Sequence, residues 1–453
     1  MRIEPLGTHG ARRLESVVLL SPCGHGNLGD AAIQDAVISQ VRKRFPDAEI
    51  VAATLNPRDT EQRHGIRGFP LAAFSRPGYD IHPAAADQEP QTQAQAFAGG
   101  GTSWGVSLAV NAAVRTARTL LPRGWPWAIR TAFGRLHAET RHIARVFRLL
   151  RGTRCLIVSG GGQLDEFWGG SWGHPYSLFK WALAARLRGV RVLFLSVGFG
   201  SLPTVTGRLF TRRALALASY RSYRDAGSRS LMRSAGFTGD DPVYPDLAYG
   251  TPSSTTPRES RDARGAMRIG VSPIIYCDPR TWPRKDLAVY QGYLRRLAEV
   301  TRWLLDEGHD VVLLTSDKPD LRAAHDLLGL LQASRRNGHR PVEIADTASV
   351  ASFMQLAMRV DLVVASRLHG VLLSHVAGAP TIALSYERKV SALMSSLDQD
   401  YLCLDIETFQ LDEFRTAFQR LRAEFDQVHR LLRTNVINLR RQLNEQYDVA
   451  LAR

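Results

Sequence analysis

The chain has 453 residues and a mass of 50.2 kDa; 44% of it is hydrophobic, 22% is charged, and its formal charge is +15. That length is too great for one ordinary core and predicts two domains. The positive surplus favours anionic partners. With no zinc finger, ribonucleoprotein aromatic motif or basic zipper in the sequence, those partners are expected to be a phosphorylated substrate or an acidic membrane surface, not nucleic acid.

The stretch from Met1 to Ser16 has no apolar run of signal-peptide length, so a cytoplasmic protein is expected. The four cysteines, Cys23, Cys155, Cys277 and Cys403, lack metal-ligand spacing and read as reduced thiols.

In chain order, β-branched runs alternate with segments of helical period. The first half offers strands at Val17–Ser21, Ile50–Ala53, Cys155–Ser159, Val192–Val197 and Tyr220–Tyr223, with a helix over Ala31–Arg44 that places Ile33, Val37 and Val41 on one side. A proline-, serine- and arginine-rich stretch, residues 251–265, then reads as an interdomain linker. The alternation restarts with strands at Arg268–Ser272, Asp310–Thr315, Val342–Ile344, Asp361–Ala365 and Thr381–Ser385, and a long amphipathic region follows from Leu411. This order predicts an α/β protein of two Rossmann-like, doubly wound domains, residues 1–255 and 256–453, facing each other across a cleft. Residues 76–150 break the pattern and read as a basic insertion. Between 101 and 155 ten arginines face the single acid Glu139 among Trp125, Trp127, Phe133 and Phe147, a mixture that suits either an interfacial helix on an anionic leaflet or a solvated arginine face.

Four motifs fall where strands give way to helices. Gly24–Asp30 (GHGNLGD) offers glycines for close backbone approach, Asn27 as a polar contact, and Asp30 as either a helix cap or a working carboxylate. Ser159–Glu166 (SGGGQLDE) places Gly161 and Gly162 at a strand end. Asp165 and Glu166 follow as hydroxyl acceptors, a base or caps, and Trp168 and Trp172 as a platform for a sugar face or as packing. Ser222–Asp225 (SYRD) presents Arg224, in the cleft or in a surface ion pair. In ASRLHG, a buried strand delivers Arg367 and His369 to a helix start, with Lys389 beyond the next strand. An arginine there suits bidentate capture of phosphate or carboxylate, and a histidine suits proton transfer near neutral pH.

Together, GHGNLGDAAI, VSGGGQLDE, SYRD and ASRLHGVLLSHVAGAPTIALSYERK resemble the polysaccharide pyruvyl transferases over about residues 17–395. The resemblance implies two Rossmann-like domains in a glycosyltransferase-B-like arrangement. It implies phosphoenolpyruvate as co-substrate, a saccharide or lipid-linked saccharide as acceptor, and a pyruvate ketal as product, with no further cofactor and no metal. Donor binding would fall to Arg367, Arg224 and Lys389. The catalytic residues would be His369 as acid and Asp30, with Asp165 or Glu166 as alternative bases. Asn27, Gly161, Gly162, Asp165, Glu166, Trp168 and Trp172 would lie on the acceptor side. A peripheral association with the inner face of the membrane fits a lipid-linked acceptor. Two alternatives stay open: a glycosyltransferase using a nucleotide sugar on the same fold, and a non-catalytic glycan-assembly protein.

Overall fold

A computed structural model describes residues 15–24, 26–74, 127–252, 265–333 and 340–452. Most of the expected insertion, most of the linker and His25 lie outside them.

The first sheet uses β1 (Ser16–Leu20), β2 (Glu49–Thr54), β3 (Arg67–Pro70), β4 (Thr153–Ser159), β5 (Arg191–Val197) and β6 (Tyr220–Tyr223) in the order β3-β2-β1-β4-β5-β6. Its helices are α1 (Leu28–Arg44), α2 (Pro57–His64), α3 (Trp127–Leu149), α4 (His174–Leu187), α5 (Val205–Ala216) and α6 (Ala226–Ser234). The second sheet uses β7 (Arg268–Ser272), β8 (Asp310–Leu313), β9 (Glu343–Ile344), β10 (Leu362–Ala365), β11 (Thr381–Ser385) and β12 (Cys403–Asp405) in the order β12-β11-β10-β7-β8-β9. Its helices are α7 (Leu287–Asp306), α8 (Leu321–Gln332), α9 (Val350–Ala357), α10 (Leu368–Val376), α11 (Arg388–Ser396), α12 (Leu411–Ala423) and α13 (Phe425–Leu451). Read from its other edge, the second sheet repeats the strand order of the first, and every strand pairing is parallel. The protein is thus two doubly wound Rossmann-like domains, the arrangement the sequence predicts, with ligands expected at the carboxyl ends of the strands.

Two strands escape the sequence reading. β3 (RGFP) is half exposed and holds a glycine and a proline, and β12 has only three residues. Both are edge strands, which need neither full burial nor a long β-branched run.

Local chemistry fixes the helices that matter for the site. Asn27 caps α1, its side chain accepting from the backbone N–H groups of Gly29 and Asp30, while Arg42, Lys43 and Arg44 close the last turn where the dipole favours cations. Ile33, Val37 and Val41 are buried as the periodicity predicts.

The domains are tied directly. Asn27 and Asp317 form an isolated antiparallel bridge, with Leu28 N donating to Ser316 O at 3.0 Å and Lys318 N to Gly26 O at 3.3 Å. One hydrophobic cluster includes Ile33 and Val37 of α1, Phe353 of α9, Leu372 of α10 and Tyr447 of α13. The terminal helix α13 follows the second sheet in sequence yet packs on the first domain. Gln446 bonds Ser196 and Ser222, Arg440 donates to the carbonyls of Tyr249 and Thr251, and Asp448 pairs with Arg44. Cys23, Cys155 and Cys277 are buried and all four cysteines are free thiols. Among the described residues no helix is long and apolar enough to cross a membrane.

Candidate active site between the two sheets

The loops at the strand ends converge where α1 meets α10. His369 lies in the first turn of α10 and reaches the opposing domain: a Cβ on Gly29 would lie 1.9 Å from its Nδ1. No side chain larger than hydrogen fits there. The glycine of the N-terminal motif therefore serves contact between protein segments, in addition to any ligand.

On its other side His369 Nε2 stands 3.7 Å from Asp246 Oδ2, an ion-pair distance. The same Asp246 oxygen accepts from Arg224 Nη1 at 3.2 Å. Asp246 lies in the first domain just before a short helical turn (Leu247–Gly250), whose Ala248 N–H it caps. Burial pushes its carboxyl pKa up, but the hydrogen-bonding and charge of His369, with Arg224, outweigh burial and hold it well below the carboxylate range. Asp246 was not legible as a site residue. The available signal was slight: a proline-aspartate pair after a short apolar run, at a strand-to-turn junction.

Arg224 follows β6 and is buried. Its Nε faces Asp225 at 3.4 Å, and a Cβ on Gly198 would sit 2.7 Å from its Nη2. It is therefore a cleft residue and not a surface ion pair. Asp225 holds it and also caps α6 through Ser228 N.

Arg367 is more heavily engaged than the sequence suggests. Its Nε and Nη2 donate to Asp320 at 2.5 and 2.9 Å, Asp317 lies 3.3 Å from Nη2, and Trp282 sits beneath the guanidinium at 5.9 Å. Trp282, Tyr276 and Tyr386 meet edge to face or tilted around it. Its Nη1 makes no hydrogen bond among the described residues. Burial, together with the like charges of Asp320 and Asp30, raises the carboxyl of Asp317 to about 6, and Arg367 opposes the rise.

The first-domain candidates divide. Asp30 lies beside the triple glycine, its Oδ1 3.5 Å from where a Cβ on Gly161 would be. Asn27, not Asp30, caps the helix, so the capping alternative for Asp30 is corrected. Gly160 and Gly161 adopt positive φ (43° and 67°), and nothing lies within 4 Å of a Cβ on Gly162. Asp165 accepts from Phe167 N and Ser201 N, and burial raises its carboxyl while Lys389 of the second domain works against that rise. Glu166 accepts from Thr204 N and Oγ1 at the start of α5, which favours the capping alternative for it. Trp168 is partly buried on the first-domain core with Phe167 against its edge, whereas Trp172 is half exposed beside Tyr176 and Phe210. Lys389 lies 3.6 Å from Glu387 and is partly exposed. His375, further along α10, is buried, and burial holds its pKa down to about 4. Among the described residues no three His, Cys, Asp or Glu side chains are grouped to hold a metal ion.

The site thus joins a histidine from one domain to a carboxylate of the other, between two arginines. A sequence profile described as polysaccharide pyruvyl transferase matches residues 27–388, most of the chain and all of these residues. The chain belongs to the polysaccharide pyruvyl transferase family. As a family member it is a transferase of polysaccharide biosynthesis. No curated protein matches its sequence. Among solved structures it is similar to the Anabaena protein HepE in complex with UDP, with 12% identity, 96% of this chain and 100% of that chain covered, and a TM-score of 0.50. It is also similar to the UDP-GlcNAc 2-epimerase of Methanocaldococcus jannaschii, with 10% identity, coverage of 89% and 91%, and a TM-score of 0.51. At such identities these likenesses concern the fold alone.

Proposed function

We propose that the protein moves the enolpyruvyl-derived group of phosphoenolpyruvate onto two hydroxyls of one sugar, in a polysaccharide or lipid-linked glycan precursor, forming a pyruvate ketal and releasing phosphate. The observation that carries this reading is the pairing of His369 with Asp246 between Arg224 and Arg367. A histidine beside a carboxylate is suited to hand on a proton, and a dianion-rich donor needs more than one cation.

In this scheme Arg224 and Arg367 receive the carboxylate and phosphate of the donor through the guanidinium N–H groups left over from their aspartate pairs. His369 protonates the methylene carbon, and Asp246 beside it orients the ring. The neighbouring carbon gains oxocarbenium character and a sugar hydroxyl attacks it, its proton passing to Asp30 beside Gly161. The C–O bond to phosphate then breaks, and a second hydroxyl of the same sugar closes the ketal, its proton returning through His369. Lys389 adds a further cation on the donor side, and Asp165, whose carboxyl Lys389 influences from the second domain, bounds the acceptor side together with Trp172.

Thermal shift and phosphate release test the donor. Phosphoenolpyruvate should raise Tm by mass action, and phosphate should appear when a lipid-linked saccharide is added. A Tm unmoved by phosphoenolpyruvate but raised by UDP, with glycosyl transfer from a nucleotide sugar, would assign the protein to the glycosyltransferase alternative.

A further inference from the structure

Beside the cleft the first domain carries an apolar ridge that no part of its own core needs. α4 and α5 turn Leu178, Trp181, Ala214 and Leu215 inward onto the sheet, so these already supply the covering of that face. The outer side nevertheless bears large apolar groups: Phe167 is 61% exposed, Trp172 52%, Val205 74% and Leu209 48%. Trp172 meets Phe210 at 5.1 Å and Tyr176 at 5.5 Å, Phe167 stands in the loop just before Trp172, and Val205 and Leu209 lie one turn apart on α5, the helix that carries Phe210. Scattered surface leucines need no explanation, whereas a contiguous aromatic and aliphatic strip marks an interaction surface.

Charge selects the occupant. From Phe167 to Arg224 the sequence has no Asp or Glu, and α5 alone exposes Arg212 and Arg213. The outer helices of the second domain, by contrast, mix both signs, as Asp412, Glu413, Arg415 and Arg420 on α12 show. A second copy docking by two-fold symmetry would set these arginines against themselves. The segment 75–126 of the same chain sets Asp80, Asp87 and Glu89 against Arg76, Arg115, Arg118 and Arg123, so it offers them no net counter-charge.

We propose that this ridge docks the protein on an anionic lipid bilayer, with Trp172, Phe167, Val205 and Leu209 at interfacial depth and the α5 arginines on lipid phosphates. The ridge begins in the loop that follows Gly161 and Asp165. A bilayer held there lies next to the candidate site, where a lipid-linked saccharide would have to enter. Docking itself does not depend on the donor assignment.

Co-sedimentation of the full chain with vesicles of phosphatidylcholine alone, or with phosphatidylglycerol added, tests this. Binding should require phosphatidylglycerol and fall with salt. Arg212→Glu with Arg213→Glu should weaken it by at least about thirtyfold, at about 1 kcal/mol for each arginine lost. Val205→Ser with Leu209→Ser should weaken it by about tenfold or more. Both double variants should keep the wild-type Tm and the same phosphate release with a water-soluble acceptor. No binding, equal binding to both vesicle types, or variants that bind like the wild type would overturn the proposal. So would binding that appears only once residues 75–126 are removed, or a ridge that instead joins two copies in solution. Because sedimentation needs no turnover, a wrong donor and a wrong surface are told apart.

Discussion

A single oxygen of Asp246 is shared between Arg224 of its own domain and His369 of the other, at 3.2 and 3.7 Å. On the proposed function the carboxylate acts through His369, as a positioning residue, while the contact also spans the domain junction. Both consequences can be measured separately.

His369→Ala should lower kcat by about a hundredfold or more, the usual size of a proton-transfer contribution, and leave phosphoenolpyruvate affinity nearly intact. Asp246→Asn should also act mainly on kcat. It has a second signature in stability: a carboxyl held below its ordinary pKa contributes stability above the unfolded value, and loses it as pH falls. The Tm deficit of Asp246→Asn should therefore be full at pH 7 and shrink below about pH 4. A His369→Ala protein that is less stable but fully active per folded molecule would reduce His369 to a structural residue.

Gly29 offers a test by sign. In a helix, replacing glycine with alanine normally stabilises by up to about 1 kcal/mol. Here the added Cβ would lie 1.9 Å from the His369 ring across the domain junction. Gly29→Ala should instead lower Tm and cut kcat by at least about tenfold, because a small misplacement of a reacting group is costly. A stabilised, active variant would show that the two domains do not close as described.

Asp317 should make the protein less stable as pH rises. Its carboxyl is raised to about 6, so the folded state binds its proton more tightly than the unfolded chain does. That contribution is present at low pH and is lost between about pH 4 and 6. The Tm of Asp317→Asn relative to wild type should accordingly climb across this window and stay level above it. Arg367→Ala should have the opposite character, costing about 3–5 kcal/mol at neutral pH by stranding the buried Asp320. Donor affinity of that variant therefore has to be read on the folded fraction. A flat Tm difference for Asp317→Asn between pH 4 and 7 would contradict the burial that raises its carboxyl.

The parts of this architecture that were legible in the sequence share one trait: their signal is local. β1 and β10 are short apolar runs, α1 shows its spacing within one segment, and Arg367 and His369 stand two residues apart at a strand end. What escaped depends on partners distant along the chain. Nothing near Asp246 announces His369, and nothing in GHGNLGD says that Gly29 must yield space to a ring from the other domain. Asp317 and Asp320 belong to a short turn after β8, unremarkable until Arg367 reaches them. Glu166 shows the converse. Its neighbours suggested chemistry, and a helix start in another segment, Thr204, claims its oxygen.

The return of α13 to the first domain bears on how the protein is made. Tyr447 and Leu443 fill the cluster beneath α1, and Gln446 satisfies the hydroxyls of Ser196 and Ser222, which are buried. These groups are synthesised after both sheets. A nascent chain that has completed all of the first sheet still carries an open apolar face and the unanswered hydroxyl of Ser196, so its first half must wait, exposed to chaperones and to its own aggregation, until α13 leaves the ribosome.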